Sequence, residues 1–180
     1  MFRRDERKKL YEYLVRSQAA DLYRFAFRLC GERETAQDLV QETYGEAWRS
    51  LDKLRETDKA RAWLFTILRY RHAHFQRDSG RRQRELVPLE LADSVADCTG
   101  ADILDTLAGR DDLQKALDSL HSRFKEPFLM VFLEGLSCAE TARQLGVPLG
   151  TVLSRIHRAR TMLRQALNNL DVQRGENARD

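Results

Sequence analysis

Apolar residues recur at helical spacing along most of the chain, and no stretch alternates apolar and polar residues as a half-buried strand would. The first helical pattern covers roughly residues 11–29 and stops at Gly31, a residue type that commonly ends helices. A second pattern follows, for which Thr35 is a candidate N-cap, and a third spans Arg61 to about Arg77. The periodicity therefore predicts an all-α fold.

The second and third predicted helices are amphipathic. On the second, the packing face is expected to hold Ala36, Leu39, Val40, Thr43, Ala47, Trp48 and Leu51. Its opposite, wet face carries Asp38, Gln41, Glu42, Gly45 and Arg49. On the third, the expected buried set is Trp63, Leu64, Ile67, Leu68 and Phe75.

Periodicity is lost between residues 81 and 112, where Pro88 and Gly100 occur, and it resumes at Leu113. We therefore predict two small helical domains joined by a flexible acidic linker. The N-terminal domain covers residues 1–83, the linker 84–112, the C-terminal domain 113–172, and a short tail 173–180.

Charge is distributed unevenly along the chain. Residues 1–87 hold 20 Lys and Arg against 14 Asp and Glu, residues 88–112 hold one against seven, and residues 113–180 hold 10 against seven. Two basic blocks separated by an acidic one suit two modules that face nucleic acid. Solvated surfaces with a chance acidic loop would give the same pattern, so charge alone leaves both interpretations open.

The stretch from Ser137 to Arg160 has the layout of a helix-turn-helix. Ser137 and Glu140 form a predicted capping box, and Gly146 supplies the turn. The second helix has a predicted buried stripe of Val152, Ile156, Ala159 and Leu163. A solvated helix in a small bundle would explain the arginines alone, but the combination of these signals favours DNA binding.

The face opposite that stripe supplies the candidate DNA-reading residues, since arginine pairs with guanine edges and hydroxyls reach phosphates or bases. Thr151, Ser154, Arg155 and Arg158 project there at 100° per residue, with His157 and Arg160 on the flanks.

Several other classes of function find no support in the sequence. No phosphate loop, nucleophile elbow or zinc-protease motif occurs, so we predict that the chain is not an enzyme and needs no cofactor. Cys30, Cys98 and Cys138 are expected to be reduced thiols. His72 and His74 point to different sides of a helix, so no metal site is expected. Without an apolar run long enough to span a bilayer, or a signal peptide, we expect a cytoplasmic protein.

At this point the chain resembles a known family. Residues 134–137, 146–148 and 150–160 look like the C-terminal promoter-binding domain of bacterial sigma factors of the extracytoplasmic-function (ECF) group. Residues 36–43, with Ala47 and Trp48, resemble the helix with which those factors grip RNA polymerase, and residues 62–69 resemble the helix that melts the upstream edge of the transcription bubble. The resemblance covers about residues 10–80 and 113–168, in the family's order.

The resemblance implies roles for particular residues. Core polymerase would be bound by Asp38, Gln41, Glu42 and Arg49. The minus-10 promoter element would be bound by Lys53, Arg55, Lys59, Arg61, Trp63, Arg69, Tyr70 and Arg77, although core packing is the commoner use of a tryptophan such as Trp63. The minus-35 element would be bound by the recognition-helix residues Thr151, Ser154, Arg155, His157, Arg158 and Arg160. Tyr70 and Leu153 depart from the family's usual residues, which leaves the promoter sequence open.

The implied partners are core RNA polymerase, promoter DNA and an anti-sigma factor, with a monomer expected for the free protein and no insertion into a membrane. The acidic linker residues Asp93, Asp97 and Asp102 are expected to mimic nucleic acid near the polymerase channel. The alternative function is a stand-alone helix-turn-helix regulator, which would bind an operator without polymerase. The segment from Asp38 to Trp48 discriminates between the two, because it resembles a polymerase-docking helix.

Overall fold

A computed structural model describes residues 4–78 and 110–177, and every regular element in those ranges is helical, as predicted. The chain divides into two compact units, residues 1–87 and 88–180. Most of the predicted linker, with Asp93, Asp97, Asp102 and Cys98, lies outside the described residues. Across the described ranges, no helix combines the length and apolar content that crossing a membrane requires.

The N-terminal unit is built from three long helices, α1 (Arg4–Cys30), α2 (Arg33–Ser50) and α3 (Ala60–Asp78). Two short 3₁₀ turns, Leu51–Lys53 and Thr57–Lys59, connect α2 to α3. Each helix packs on the other two. The rings of Phe25 and Phe65, both fully buried, meet edge to face with centroids 5.2 Å apart at the centre of the core.

Helix ends in this unit follow from local chemistry. Gly31 ends α1 as predicted, since its φ of 81° is open to glycine at little cost, and its N–H donates to the Phe27 carbonyl at 2.8 Å. The predicted N-cap at Thr35 is wrong. The cap is Glu32, whose carbonyl accepts from Ala36 N–H at 3.0 Å, and the Thr35 hydroxyl donates to the Glu32 carboxylate at 2.7 Å.

The C-terminal unit contains α4 (Arg110–Asp118), α5 (Ser122–Phe132), α6 (Cys138–Leu145) and α7 (Leu149–Asn177). The long helix α7 packs on the other three. The core includes Leu117, Phe128 and Leu163, all fully buried. Lys125 is also buried, and its ammonium is paired with Asp118 at 3.1 Å, which offsets the cost of burying the charge.

Candidate functional site

The helix-turn-helix of the C-terminal unit begins with the predicted capping box. Ser137 Oγ accepts from the Glu140 N–H at 3.2 Å, and the Ser137 N–H donates to the Glu140 carboxylate at 2.9 Å. The Ser137 hydroxyl also donates to the Glu140 carboxylate at 2.7 Å. This bond and the one from the Ser137 N–H lower the pKa of Glu140, since both favour its charged form. The box thus fixes the start of α6 and stabilises a carboxylate at the positive end of that helix.

The turn and the packing of the second helix also match the prediction. Gly146 ends α6 in the left-handed region, at φ 65°, and the next N–H, from Val147, donates to the Ala142 carbonyl at 3.1 Å. The predicted stripe on α7 is buried throughout: Val152, Ile156, Ala159 and Leu163. Val152 and Ile156 of this stripe pack on Cys138 and Ala142 of α6. The face that carries the candidate DNA-reading residues is therefore turned away from the core.

The six predicted recognition residues lie within three turns at the start of α7. His157 is exposed, and the others are half-buried: Thr151, Ser154, Arg155, Arg158 and Arg160. The Ser154 hydroxyl donates to the Thr151 carbonyl at 3.0 Å, so its oxygen is left to accept from a ligand. The six residues are thus brought together by one helical surface.

Arg155 lies beside residues of α5 that the sequence did not indicate. Burial, and then the charge of Arg123, lower the pKa of Arg155, whereas Glu126 acts in the opposite direction. Arg123 spreads over the Phe124 ring at 4.5 Å. Because α5 and α7 are far apart in sequence but packed together, no pattern within the helix-turn-helix itself would have revealed this neighbourhood.

The polar face of α2 is exposed where the sequence predicted it. Asp38, Gln41 and Glu42 are all exposed and are spaced to share one helical face. Arg49, also exposed, pairs with Glu46 at 3.0 Å. The three acidic and amide side chains form a free surface suited to a basic partner.

The eight residues predicted to meet the minus-10 element differ in their exposure and in their partners within the unit. Lys53, Arg55, Lys59, Tyr70 and Arg77 are exposed. Arg61 instead binds within the unit, to Asp21 at 2.5 Å and Gln18 at 2.8 Å. Arg69 is buried and donates to the Thr66 hydroxyl at 3.2 Å. Trp63 is half-buried beside a groove.

That groove, of about 730 Å³, runs between α2 and α3. Its walls combine acidic and aromatic side chains: Glu42, Glu46, Trp63, Tyr70, His74 and Phe75 among others. Arg71 crosses it to Glu46 at 2.6 Å, and the rings of Tyr70 and His74 lie 4.4 Å apart. The Nε2 atom of His74 is buried and makes no hydrogen bond. Aromatic rings set among charged and polar groups suit a planar polar ligand or an amphipathic segment.

Two aromatic residues expected in the core are partly exposed. Trp48 is 41% exposed and lies near the end of α2, where Arg7 and Tyr11 of the first turns of α1 contact its ring. Phe75, 37% exposed, lies near the end of α3 beside the groove. Both burial predictions are wrong because helical spacing identifies a face and says nothing about how far along it a neighbour extends.

The cysteines and histidines of the described residues have separate surroundings. Cys30 is a free thiol, but Cys138 is disulfide-bonded, so the prediction of a reduced thiol at Cys138 is wrong. His72 is buried and contacts Gln76, whereas His74 faces the groove. Within residues 4–78 and 110–177, no group of three metal-ligating side chains forms.

The capped helix-turn-helix, with a basic face on α7, defines a DNA-binding protein, and the N-terminal unit adds a second surface beside it in sequence. Comparison with family models identifies the class of DNA-binding protein. Residues 14–82 match the model described as sigma-70 region 2, and residues 110–163 match sigma-70 region 4.

Characterised relatives agree. The ECF RNA polymerase sigma factor SigE of Mycolicibacterium smegmatis is 37% identical over 87% of this chain, which spans 61% of that protein's length. The ECF sigma factor SigL of Mycobacterium tuberculosis is 33% identical over 92% of this chain and 93% of its own length. The chain therefore belongs to the ECF group of the sigma-70 family of RNA polymerase sigma factors, and it is not an enzyme.

A solved structure supports the same assignment. The sigma factor RpoE of Bartonella quintana, in complex with the anti-sigma factor NepR, matches with a TM-score of 0.68 and 29% identity, over 89% of this chain and 98% of that one. CnrH, in complex with the cytosolic domain of CnrY, matches with a TM-score of 0.60 and 26% identity, over 88% of each chain. Family membership decides against the stand-alone regulator.

Proposed function

We propose that the chain binds core RNA polymerase through the exposed polar face of α2, formed by Asp38, Gln41 and Glu42, with Arg49 at its C-terminal end. The observation that carries the proposal is the joint match of regions 2 and 4 in one chain. The exposure of all four side chains supports the choice of face, because a docking surface must be free before the partner arrives.

The minus-35 element is assigned to the face of α7 that carries Thr151, Ser154, Arg155, His157, Arg158 and Arg160. A helix-turn-helix places the N-terminal residues of its second helix in the major groove, and these six occupy that part of α7. Arginine side chains there can read guanine edges or hold phosphates. Leu153, packed against the apolar cluster of α6 and α7, is not assigned to DNA.

The minus-10 element is assigned to the segment of residues 51–59 and the neighbouring surface of α3. The exposed cations Lys53, Arg55, Lys59 and Arg77 would hold the phosphates, and Tyr70 and Trp63 would stack on bases at the groove. Arg61 and Arg69 stay in the assignment as predictions, although each already has partners within the unit.

An anti-sigma factor is proposed as the partner that keeps the protein inactive. The RpoE structure is a complex with an anti-sigma factor, and the exposed surfaces of α2 and α3 would be covered by such a partner. The protein would act in the cytoplasm, where polymerase transcribes, and would be a monomer until it binds.

The test is to mix the purified protein with bacterial core RNA polymerase, measure co-elution by size exclusion, and run run-off transcription on genomic promoter fragments. Co-elution with promoter-dependent transcripts is expected. Asp38→Arg should abolish co-elution, whereas Glu12→Arg, an equal charge reversal on the exposed surface of α1, should not. DNA binding in the absence of any binding to core polymerase would overturn the proposal.

A further inference from the structure

The first turns of α1 make an unusual set of contacts with the end of α2. The guanidinium of Arg7 donates to the Asp52 carboxylate at 3.0 Å and to the backbone carbonyl of Trp48, and its carbon lies 4.8 Å from the centre of the Trp48 ring. The Arg7 side chain is only 26% exposed. One side chain therefore joins three elements: α1, α2 and the first 3₁₀ turn.

The contacts fit the chemistry of a helix end. Carbonyls in the last turn of a helix have no partner within the helix and carry partial negative charge, and the Trp48 carbonyl is one of them. Asp52 follows α2 directly, in the turn Leu51–Lys53. A planar guanidinium can serve both acceptors and stack on an indole ring at once, which an ammonium group cannot do.

Aromatic packing holds this arrangement in place. Tyr11, one turn after Arg7, meets the Trp48 ring edge to face at 5.0 Å and the Tyr44 ring at 6.2 Å. Its hydroxyl donates to the Tyr44 carbonyl at 3.3 Å. Burial raises the pKa of Tyr11, consistent with a hydroxyl that stays protonated in this cluster.

Asp52 begins the segment that carries Lys53, Arg55 and Lys59, the exposed cations assigned to the minus-10 element. Leu51 and Leu54 are buried and fix the apolar side of this segment. On the polar side, the ion pair between Arg7 and Asp52 holds the start of the segment. Arg7 also lies seven residues before the region 2 match, which begins at residue 14. Arg7 therefore lies outside the part that the family model describes, whereas its partners Trp48 and Asp52 lie inside it.

We propose that Arg7 is a positioning residue for promoter recognition: it holds the start of the 51–59 segment so that its cations face the minus-10 element. This inference rests on the proposed function. A merely stabilising ion pair would behave differently, since its loss would weaken every activity of the N-terminal unit together. Loss of a positioning contact would reduce the ability to distinguish minus-10 sequences and leave polymerase docking intact.

The experiment uses the full chain with core polymerase and compares Arg7→Ala, Arg7→Lys and the matched control Lys8→Ala. Lys8 lies on the same turn and its exposed side chain pairs only weakly, at 3.9 Å, with Glu12 of its own helix. Run-off transcription is measured on a native promoter, on one with a substituted minus-10 element and on one with a substituted minus-35 element. Affinity for core polymerase is measured in parallel.

Arg7→Ala should lower discrimination at the minus-10 element by on the order of tenfold, as loss of charge-assisted hydrogen bonds would. Discrimination at minus-35 and affinity for core polymerase should stay unchanged. Discrimination at the minus-10 element by Arg7→Lys should lie between that of Arg7→Ala and that of the wild type. Lys8→Ala should match the wild type. Unchanged minus-10 discrimination in Arg7→Ala, or equal loss of all three properties, would overturn the inference.

Two further controls keep the result interpretable. If Arg7→Ala fails to fold, Asp52→Ala removes the ion pair from the other side and leaves the contact with Trp48, and the same selective loss is expected. If the wild-type protein itself shows no binding to core polymerase or no promoter preference, the proposed function has failed, and this is seen before any variant is compared.

Discussion

The two units place their candidate DNA-binding residues by different means. In the C-terminal unit, all six lie on three consecutive turns of α7, so the helical repeat brings them together, although α5 also packs beside Arg155. In the N-terminal unit, eight candidates are spread over two turns and a helix, and contacts far apart in sequence decide their orientation. Arg61, for example, is held by Asp21, forty residues earlier. A site carried by one helix is readable from local pattern, whereas a site assembled by tertiary packing is not.

The largest expected effect concerns the N-terminal unit, whose candidate site depends on tertiary packing. Phe65→Ala removes a fully buried ring that packs edge to face on Phe25 at 5.2 Å. We expect the N-terminal unit to lose about 3–5 kcal/mol of stability, the usual cost for a buried phenylalanine. Denaturant unfolding followed by two-dimensional NMR would measure this, with signals of α7 expected to persist.

The matched control is Tyr70→Ala, an aromatic truncation on the same helix at a side chain that is 60% exposed. It should change stability by less than about 0.5 kcal/mol. If signals from both units disappear in one transition in Phe65→Ala, the two candidate sites do not depend on separate cores.

The next largest effect concerns the C-terminal unit, whose candidate residues lie on a single helix. Arg158→Ala should weaken promoter binding by about 1–3 kcal/mol, and the loss should fall on particular base pairs of the minus-35 element. Electrophoretic mobility shifts with systematically substituted promoters would measure it. Arg164→Ala, which removes the same charge from an exposed position further along α7, serves as control. A loss spread evenly over all sequences would identify Arg158 as a phosphate contact.

The sequence predicted most of what is local. The all-α class, the end of α1 at Gly31, the capping box, the Gly146 turn and the buried stripe of α7 are confirmed, because each depends on residues within one or two turns. Each signal has a known stereochemical cause, such as the positive φ of the two glycines.

Predictions from the sequence failed where residues distant in the chain determine whether a side chain is exposed. The exposure of Trp48 depends on how α1 and α2 pack, which periodicity does not encode. The internal pairing of Arg61 and the burial of Arg69 also come from tertiary packing, and the minus-10 roles of both residues remain predictions. The Thr35 cap failed for another reason: N-cap propensity favours threonine, yet the residue with the extended cap conformation is Glu32, whose side chain makes no cap hydrogen bond.

A smaller effect concerns the capping box. Ser137→Ala should cost the C-terminal unit about 1 kcal/mol, as loss of an N-cap generally does. Because hydrogen bonds from Ser137 lower the pKa of Glu140, the box stabilises the fold above the ordinary pKa of a glutamate and loses that contribution as pH falls through the lowered value. Thermal unfolding between neutral and acidic pH would measure both.

Two comparisons isolate the titration of Glu140. In Ser137→Ala, the pH dependence of stability should be flatter than in the wild type. In Glu140→Gln, the bond to the Ser137 N–H is retained without a titrating group, so stability near neutral pH should stay close to that of the wild type while its pH dependence also flattens. An unchanged pH profile in both variants would assign acid sensitivity to other carboxylates.

The smallest effect sharpens the contrast within the N-terminal unit, between a free cation and one already paired. Each cation that neutralises a DNA phosphate adds about 0.9 to the slope of log affinity against log salt for duplex DNA. Lys53→Ala should therefore reduce the slope for promoter binding by the polymerase complex by about one. Arg61→Ala should reduce it by less, because Asp21 already pairs with that guanidinium at 2.5 Å in the free protein. Equal reductions in both variants would mean that Arg61 exchanges Asp21 for a phosphate when DNA binds, so that the internal pair is a resting position for a DNA contact. In that case even the tertiary pairing seen in the free protein would not be enough to define the minus-10 surface.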